Sequence, residues 1–119
     1  MRKALITEDD LVSNLLLSAL IRDNGFSTES AYSVEDTRKQ LETNNFDVIF
    51  LDHKLPDGLG IDFIPTIKAR QPKAIIAVMT AENFEDNIKK AYGFGADVFL
   101  SKPLSHKEIQ RVLSMAESR

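Results

Sequence analysis

Short apolar runs alternate along the chain with segments in which apolar residues recur every three or four positions. These are the two periodicities of buried strands and amphipathic helices. Ala4 to Thr7 reads as a short buried strand. Leu11, Val12, Leu15, Leu16, Ala19 and Leu20 follow at helical spacing and predict one apolar helix face, and Asn24-Gly25 supplies the stop. Phe26 to Ala31 is a weaker second strand. Ser33-Val34-Glu35-Asp36 resembles a capping box and opens a helix running through Leu41 to Thr43.

The clearest strand is Asp47 to Leu51, apolar and β-rich as expected when both sheet faces are covered. Leu55-Pro56-Asp57-Gly58 is a turn, since proline presets one backbone angle and glycine permits another. Ile61, Ile64 and Ile67 suggest a third helix. Pro65 within it would remove a hydrogen bond and clash with the preceding turn, at about 3 kcal/mol, so the regular helix is expected to begin near Ile64 or to kink there. Ala74 to Met79 is a fourth buried strand. Asn83 can cap a short helix reaching about Tyr92, ended by Gly93 and Gly95. Val98 to Leu100 is the fifth strand, and Ser105-His106-Lys107-Glu108 is a capping box for a last helix carrying Ile109, Val112, Leu113 and Ala116.

Five strands alternating with five helices predict an α/β fold, a five-stranded parallel sheet covered on both faces. The 119 residues fit one domain spanning the chain, residues 1–119, with no repeat or linker. A hydrophobic share of 43% and a charged share of 28% fit a globular protein rather than a disordered one. The net charge of −3 gives no general attraction to nucleic acid or acidic membranes. Without cysteine there is no disulfide framework and no thiolate zinc site. The basic start Met1-Arg2-Lys3 is followed by an apolar run too short for a signal peptide, and nothing approaches a membrane span, so the expected location is the cytoplasm.

Four of the strands stop at residues capable of chemistry: Glu8-Asp9-Asp10, Asp52, Thr80-Ala81 and Lys102-Pro103. In a parallel sheet all four ends share one edge, where ligands of such folds bind. Glu8, Asp9 and Asp52 crowded there would repel one another unless a hard cation relieved them. Magnesium takes one or two carboxylates and leaves positions for water and a phosphate. Lys102 would add a second positive clamp, and a cis Lys102-Pro103 bond is compatible with the sequence. Each residue also has a plainer reading. Asp9 or Asp10, and Asp10 in particular, would cap the first helix. Thr80 would be an ordinary β-branched strand residue, and Lys102 a lysine reaching out to solvent. His53, turned away from Asp52 by strand alternation, is expected to be a surface or packing residue, and His106 to be solvated.

Taken in order and spacing, Glu8-Asp9, Asp52 with Leu55-Pro56-Asp57-Gly58, Thr80-Ala81, Gly95-Ala96-Asp97 and Lys102-Pro103 resemble the receiver domain of bacterial two-component response regulators. The resemblance covers essentially the whole chain. It implies the flavodoxin-like fold with strand order 2-1-3-4-5. It further implies that Asp52 accepts a phosphoryl group from a phosphohistidine on a sensor histidine kinase or phosphotransfer protein. In that family pattern Asp9 and Asp52 ligate Mg2+, Glu8 acts through water and Lys54 through its backbone carbonyl. Lys102 contacts the phosphoryl oxygens, and Thr80 moves to meet them while Phe99 fills the space it leaves. The family often has tyrosine where Phe99 stands, so the hydroxyl latch is absent and a looser switch is expected. Leu104 stands where the family often has phenylalanine.

Lys54 and Glu82 correspond to the positions that tune the lifetime of the acyl phosphate. They would either pair across the mouth or stay independently solvated, and the small worth of surface pairs favours separate solvation. The implied role is signalling rather than enzymatic, beyond the domain's own phosphorylation and dephosphorylation. A Mg2+-dependent phosphohydrolase of the haloacid-dehalogenase type would carry a second aspartate where Lys54 stands. A degenerate receiver would act only as an interaction module, without phosphorylation. The face of the fourth helix, fifth strand and fifth helix, with Lys89, Lys90, Tyr92, Glu108 and Arg111, is where such domains often dimerise or meet partners. The output is open: the chain is either a single-domain regulator or the receiver of a longer protein.

Overall fold

The computed structural model describes residues 1–82 and 84–118. Five strands form one parallel sheet: β1 (Lys3–Thr7), β2 (Ser27–Ala31), β3 (Val48–Asp52), β6 (Ile75–Thr80) and β7 (Val98–Ser101). Their spatial order is β2-β1-β3-β6-β7, the expected 2-1-3-4-5 when only these strands are counted. Five helices cover the sheet: α1 (Leu11–Asp23), α2 (Val34–Thr43), α3 (Gly60–Arg70), α4 (Glu85–Phe94) and α5 (His106–Glu117). The turn at Pro56-Asp57 is the tip of a small antiparallel hairpin, β4 (Lys54–Leu55) with β5 (Gly58–Leu59).

Strand alternation divides the core in two. Ile6, Val48, Phe50, Ile75, Ala77 and Met79 pack on one face with Ile21 of α1 and Ile109, Val112 and Leu113 of α5. Leu5, Ile49, Leu51, Ile76 and Val78 pack on the other with Leu41 of α2, Ile61, Ile64 and Ile67 of α3, and Ala91 of α4. Burying each large aliphatic side chain contributes roughly 1.5–3 kcal/mol, so both layers hold the sheet from its two sides.

The helix α1 corrects the sequence reading. Its apolar residues do repeat at helical spacing, but Leu11, Val12, Leu15 and Leu16 face outward, each 64–70% exposed. The inward stripe is Asn14, Leu17, Ser18 and Ile21. Asn14 makes the difference: its amide donates to the carbonyls of Ile6 at 3.1 Å, Glu8 at 3.1 Å and Ala31 at 3.3 Å, and its own oxygen accepts from Ser18 and Ser30. These carbonyls lie where the β1 and β2 ladders end. With Asn14 and Ser18 turned inward these carbonyls gain donors from the helix, and the Asn14 oxygen is satisfied by two hydroxyls.

Of the two alternatives for α3, a start near Ile64 is corrected: the helix begins at Gly60, four residues earlier, and carries Pro65 inside it. Burial of Ile61, Ile64 and Ile67 outweighs the proline penalty. In α4, Gly93 stays helical and only Gly95, at φ 113°, terminates the helix. The predicted cap Asn83 lies outside the described residues, and the N-cap is Phe84. Among the described residues no helix is long and apolar enough to cross a membrane.

Candidate functional site

The sheet register carries Thr7, Asp52, Thr80 and Ser101 to the same edge. The chain leaves β1 toward β2 on one side and returns to β3 on the other, so the crevice between β1 and β3 is the switch point of the topology. Glu8 and Asp9 follow β1 there, and Asp52 closes β3. One carboxylate oxygen from each of Glu8, Asp9 and Asp52 lies within 4.8 Å of the others. Glu8 and Asp52 are buried, and Asp9 is open to solvent.

Lys102 enters from the end of β7. Its ammonium donates to Glu8 Oε1 at 2.5 Å and to Asp52 Oδ2 at 3.1 Å. The other oxygen of Asp52 accepts the His53 backbone N–H at 2.8 Å, and the other oxygen of Glu8 accepts the Asp10 N–H at 3.1 Å. Burial pulls the Lys102 pKa down, but its hydrogen bonds to Glu8 and Asp52 and their charges outweigh burial, so the net shift is upward. Desolvation, and then the hydrogen bond with Glu8, raise Asp9 above the ordinary value. Three carboxylates with a single ammonium among them form an oxygen-rich, under-neutralised cluster. That donor set suits a hard divalent cation.

Thr80 is buried, and its hydroxyl accepts the Glu82 N–H at 3.0 Å. Phe99 packs beside the core layer that holds Ile76 and Val78. The Lys102-Pro103 bond is cis. Asp10 caps α1, accepting the Ser13 N–H at 2.8 Å. His53 is a packing residue, 5% exposed, its Nδ1 facing the Ile61 N–H; His106 is exposed. Lys54 and Glu82 form an ion pair across the mouth, against the expectation of separate solvation, because β4 and the end of β6 bring the two side chains together.

The family model of the response regulator receiver domain matches residues 4–114. The chain belongs to the receiver family. The receiver is 32% identical over 115 residues, 97% of its length, to response regulator protein PilR of Pseudomonas aeruginosa. It spans about a quarter of the length of PilR and of ZraR from Salmonella typhimurium, another curated relative. Among solved structures it superposes on a two-component response regulator from Clostridium difficile with TM-score 0.95 and 28% identity, covering 100% of the receiver and 98% of that chain. A response regulator from Burkholderia pseudomallei, 24% identical, shares the fold with TM-score 0.91 over 99% of the receiver and 70% of that chain; it was crystallised with a phosphorylated aspartic acid and a calcium ion.

Several residues of the receiver's site escaped the sequence reading. The sequence pattern does not single out Asn14, and it places Asp57 in the proline turn and the family pattern, with no partner on α2. Gly60 is a third: a Cβ there would sit 2.0 Å from the Asp52 carbonyl oxygen. The Gly58-Leu59-Gly60 spacing after the proline turn is the one sequence signal that pointed to it.

Proposed function

We propose that this receiver takes a phosphoryl group from a phosphohistidine of a histidine kinase or phosphotransfer protein onto Asp52, with Mg2+, and signals through Thr80 and Phe99. The observation that carries this is the convergence of Glu8, Asp9 and Asp52 with the Lys102 ammonium on two of them. Asp9 and Asp52 would hold the cation directly, Glu8 through water and Lys54 through its backbone carbonyl. Bound magnesium neutralises phosphoryl oxygens and eases the repulsion among the carboxylates.

An Asp52 carboxylate oxygen attacks phosphorus in line, the new O–P bond forms as the N–P bond to the histidine breaks, and the imidazole leaves. Such transfer needs positioning and charge neutralisation more than proton chemistry. Lys102 turns from Asp52 toward the phosphoryl oxygens, and the Thr80 hydroxyl exchanges the Glu82 N–H for a phosphoryl oxygen. Phe99 follows Thr80 inward and alters the α4–β7–α5 surface, which serves an output partner or a second copy. The Lys54–Glu82 pair covers the mouth and slows attack of water on the acyl phosphate. A phosphohistidine donor places the receiver in the cytoplasm.

The outward leucines of α1 suit the donor. Leu16 lines a groove with Glu8 and Lys102, so a donor protein resting its apolar surface on α1 brings its phosphohistidine toward Asp52. Incubation with acetyl phosphate and Mg2+ tests the reading by intact mass. The wild type is expected to gain one phosphoryl group, and Asp52→Ala or chelated samples none. Steady turnover of unrelated phosphomonoesters would favour a phosphohydrolase, and no gain would favour a binding module.

A further inference from the structure

The loops that supply the candidate metal ligands leave different strands, yet the β4–β5 hairpin and the end of β1, just before Glu8, are both fastened to the first turn of α2. Asp57, at the tip of the β4–β5 hairpin, accepts the Val34 N–H at 2.8 Å and the Glu35 N–H at 3.0 Å. Ser33 Oγ accepts the Asp36 N–H at 2.9 Å, and the Ser33 carbonyl accepts the Thr37 N–H at 3.1 Å. The opening donors of the helix, usually left to local caps or water, are thus shared between a local serine and the hairpin that carries Lys54. At its base the same hairpin is closed by the Gly60 N–H donating to the His53 carbonyl at 2.6 Å.

The other side of the turn faces β1. Thr37 Oγ1 lies 2.9 Å from Thr7 Oγ1, in a fully buried contact directly before Glu8. Thr37 already donates its one hydroxyl proton to the Ser33 carbonyl at 2.8 Å, so Thr7 is the donor to Thr37. The Glu8 N–H donates to the Ala31 carbonyl at 3.0 Å, just ahead of the same turn. Hydrogen bonds therefore run from Lys54's hairpin through Asp57, the α2 turn and Thr37 to Thr7, the residue that precedes Glu8 and Asp9 in the chain.

We infer that the first turn of α2 is a brace setting the distance between the Glu8-Asp9 loop and the Asp52-Lys54 loop, with Asp57 and Thr37 as positioning residues for divalent-cation binding. The inference rests on the metal reading above. A cap that served only α2 could come from anywhere; this one comes from the loop whose carbonyl is a candidate ligand. Groups that orient metal ligands typically alter affinity by 10–100-fold when removed, and a brace one step further out belongs at the lower end.

Calorimetric Mg2+ titration tests it, with thermal melting of the metal-free proteins alongside. Asp57→Ala is expected to weaken Mg2+ binding roughly tenfold, Asp57→Asn and Thr37→Val by less. Ser33→Ala, which removes the local cap of the same helix but leaves the Asp57 and Thr37 contacts in place, is expected to lower the melting temperature with a clearly smaller loss of Mg2+ affinity than Asp57→Ala. Equal affinity in wild type and a folded Asp57 variant would overturn the brace, as would a loss in Ser33→Ala matching that in Asp57→Ala. If Asp57→Ala does not fold, Asp57→Asn and Thr37→Val carry the comparison. A wild type that binds no Mg2+ would overturn the metal-site reading itself, and the brace with it.

Discussion

An ammonium shared between Glu8 and Asp52 offsets part of the carboxylate charge gathered in the site. Because the folded Lys102 pKa is raised above its ordinary value of 10.5, the stability it contributes is complete below that value and is lost as pH rises through the raised one. The difference in unfolding free energy between wild type and Lys102→Met is therefore expected to stay level through neutral pH and to shrink above 10.5. A difference that persists unchanged at alkaline pH would contradict the charge role. Gly60 sets a steric limit at the same place. In Gly60→Ala the methyl meets the Asp52 carbonyl, so the end of β3 must shift, and stability is expected to fall by roughly 1–3 kcal/mol in denaturant titration. At this scale the sequence was most informative where a polar residue ends an apolar strand, as at Asp52, Thr80 and Lys102. It was least informative for Asn14, Thr37 and Asp57, whose partners lie on other elements and leave no local pattern.

Among the elements, α1 shows how a correct period can be assigned to the wrong face. Leu11, Val12, Leu15 and Leu16 make a clear apolar stripe, yet the helix turns inward the face that carries Asn14, Leu17 and Ile21, where Asn14 meets three strand-end carbonyls. The observed orientation predicts that Leu15→Asp changes stability by no more than about 0.5 kcal/mol, whereas Ile21→Ala costs about 2–5 kcal/mol. Equilibrium unfolding of the two variants distinguishes the faces. The same Leu15→Asp protein is expected to accept phosphoryl from acetyl phosphate at the wild-type rate and from a phosphohistidine protein at least several-fold more slowly. Equal slowing with both donors would remove α1 from the docking surface. The start of α3 was hidden for a different reason: the weight of Pro65 is local and visible, while the burial of Ile61 that offsets it is tertiary.

At the scale of the whole molecule, the fold was legible because alternation of strand and helix, with strands apolar on both faces, leaves few arrangements other than a covered parallel sheet. That sheet places four strand ends on one edge, and the candidate site follows from the topology rather than from any one motif. The sequence left open how the edge is held, which depends on long-range hydrogen bonds, and what the receiver controls. In the proposed function Asp52, with Mg2+ and Lys102, forms one site whose occupation is read by Thr80 and Phe99. Nuclear magnetic resonance with beryllium fluoride, a phosphoryl mimic, follows both ends of that coupling at once. With Mg2+ present, the amide resonances of Thr80, Phe99 and the α4–β7–α5 surface are expected to shift together in wild type and to stay unchanged in Asp52→Ala. Shifts that occur equally in Asp52→Ala, or none in wild type, would rule out Asp52 as the phosphoacceptor read by Thr80 and Phe99.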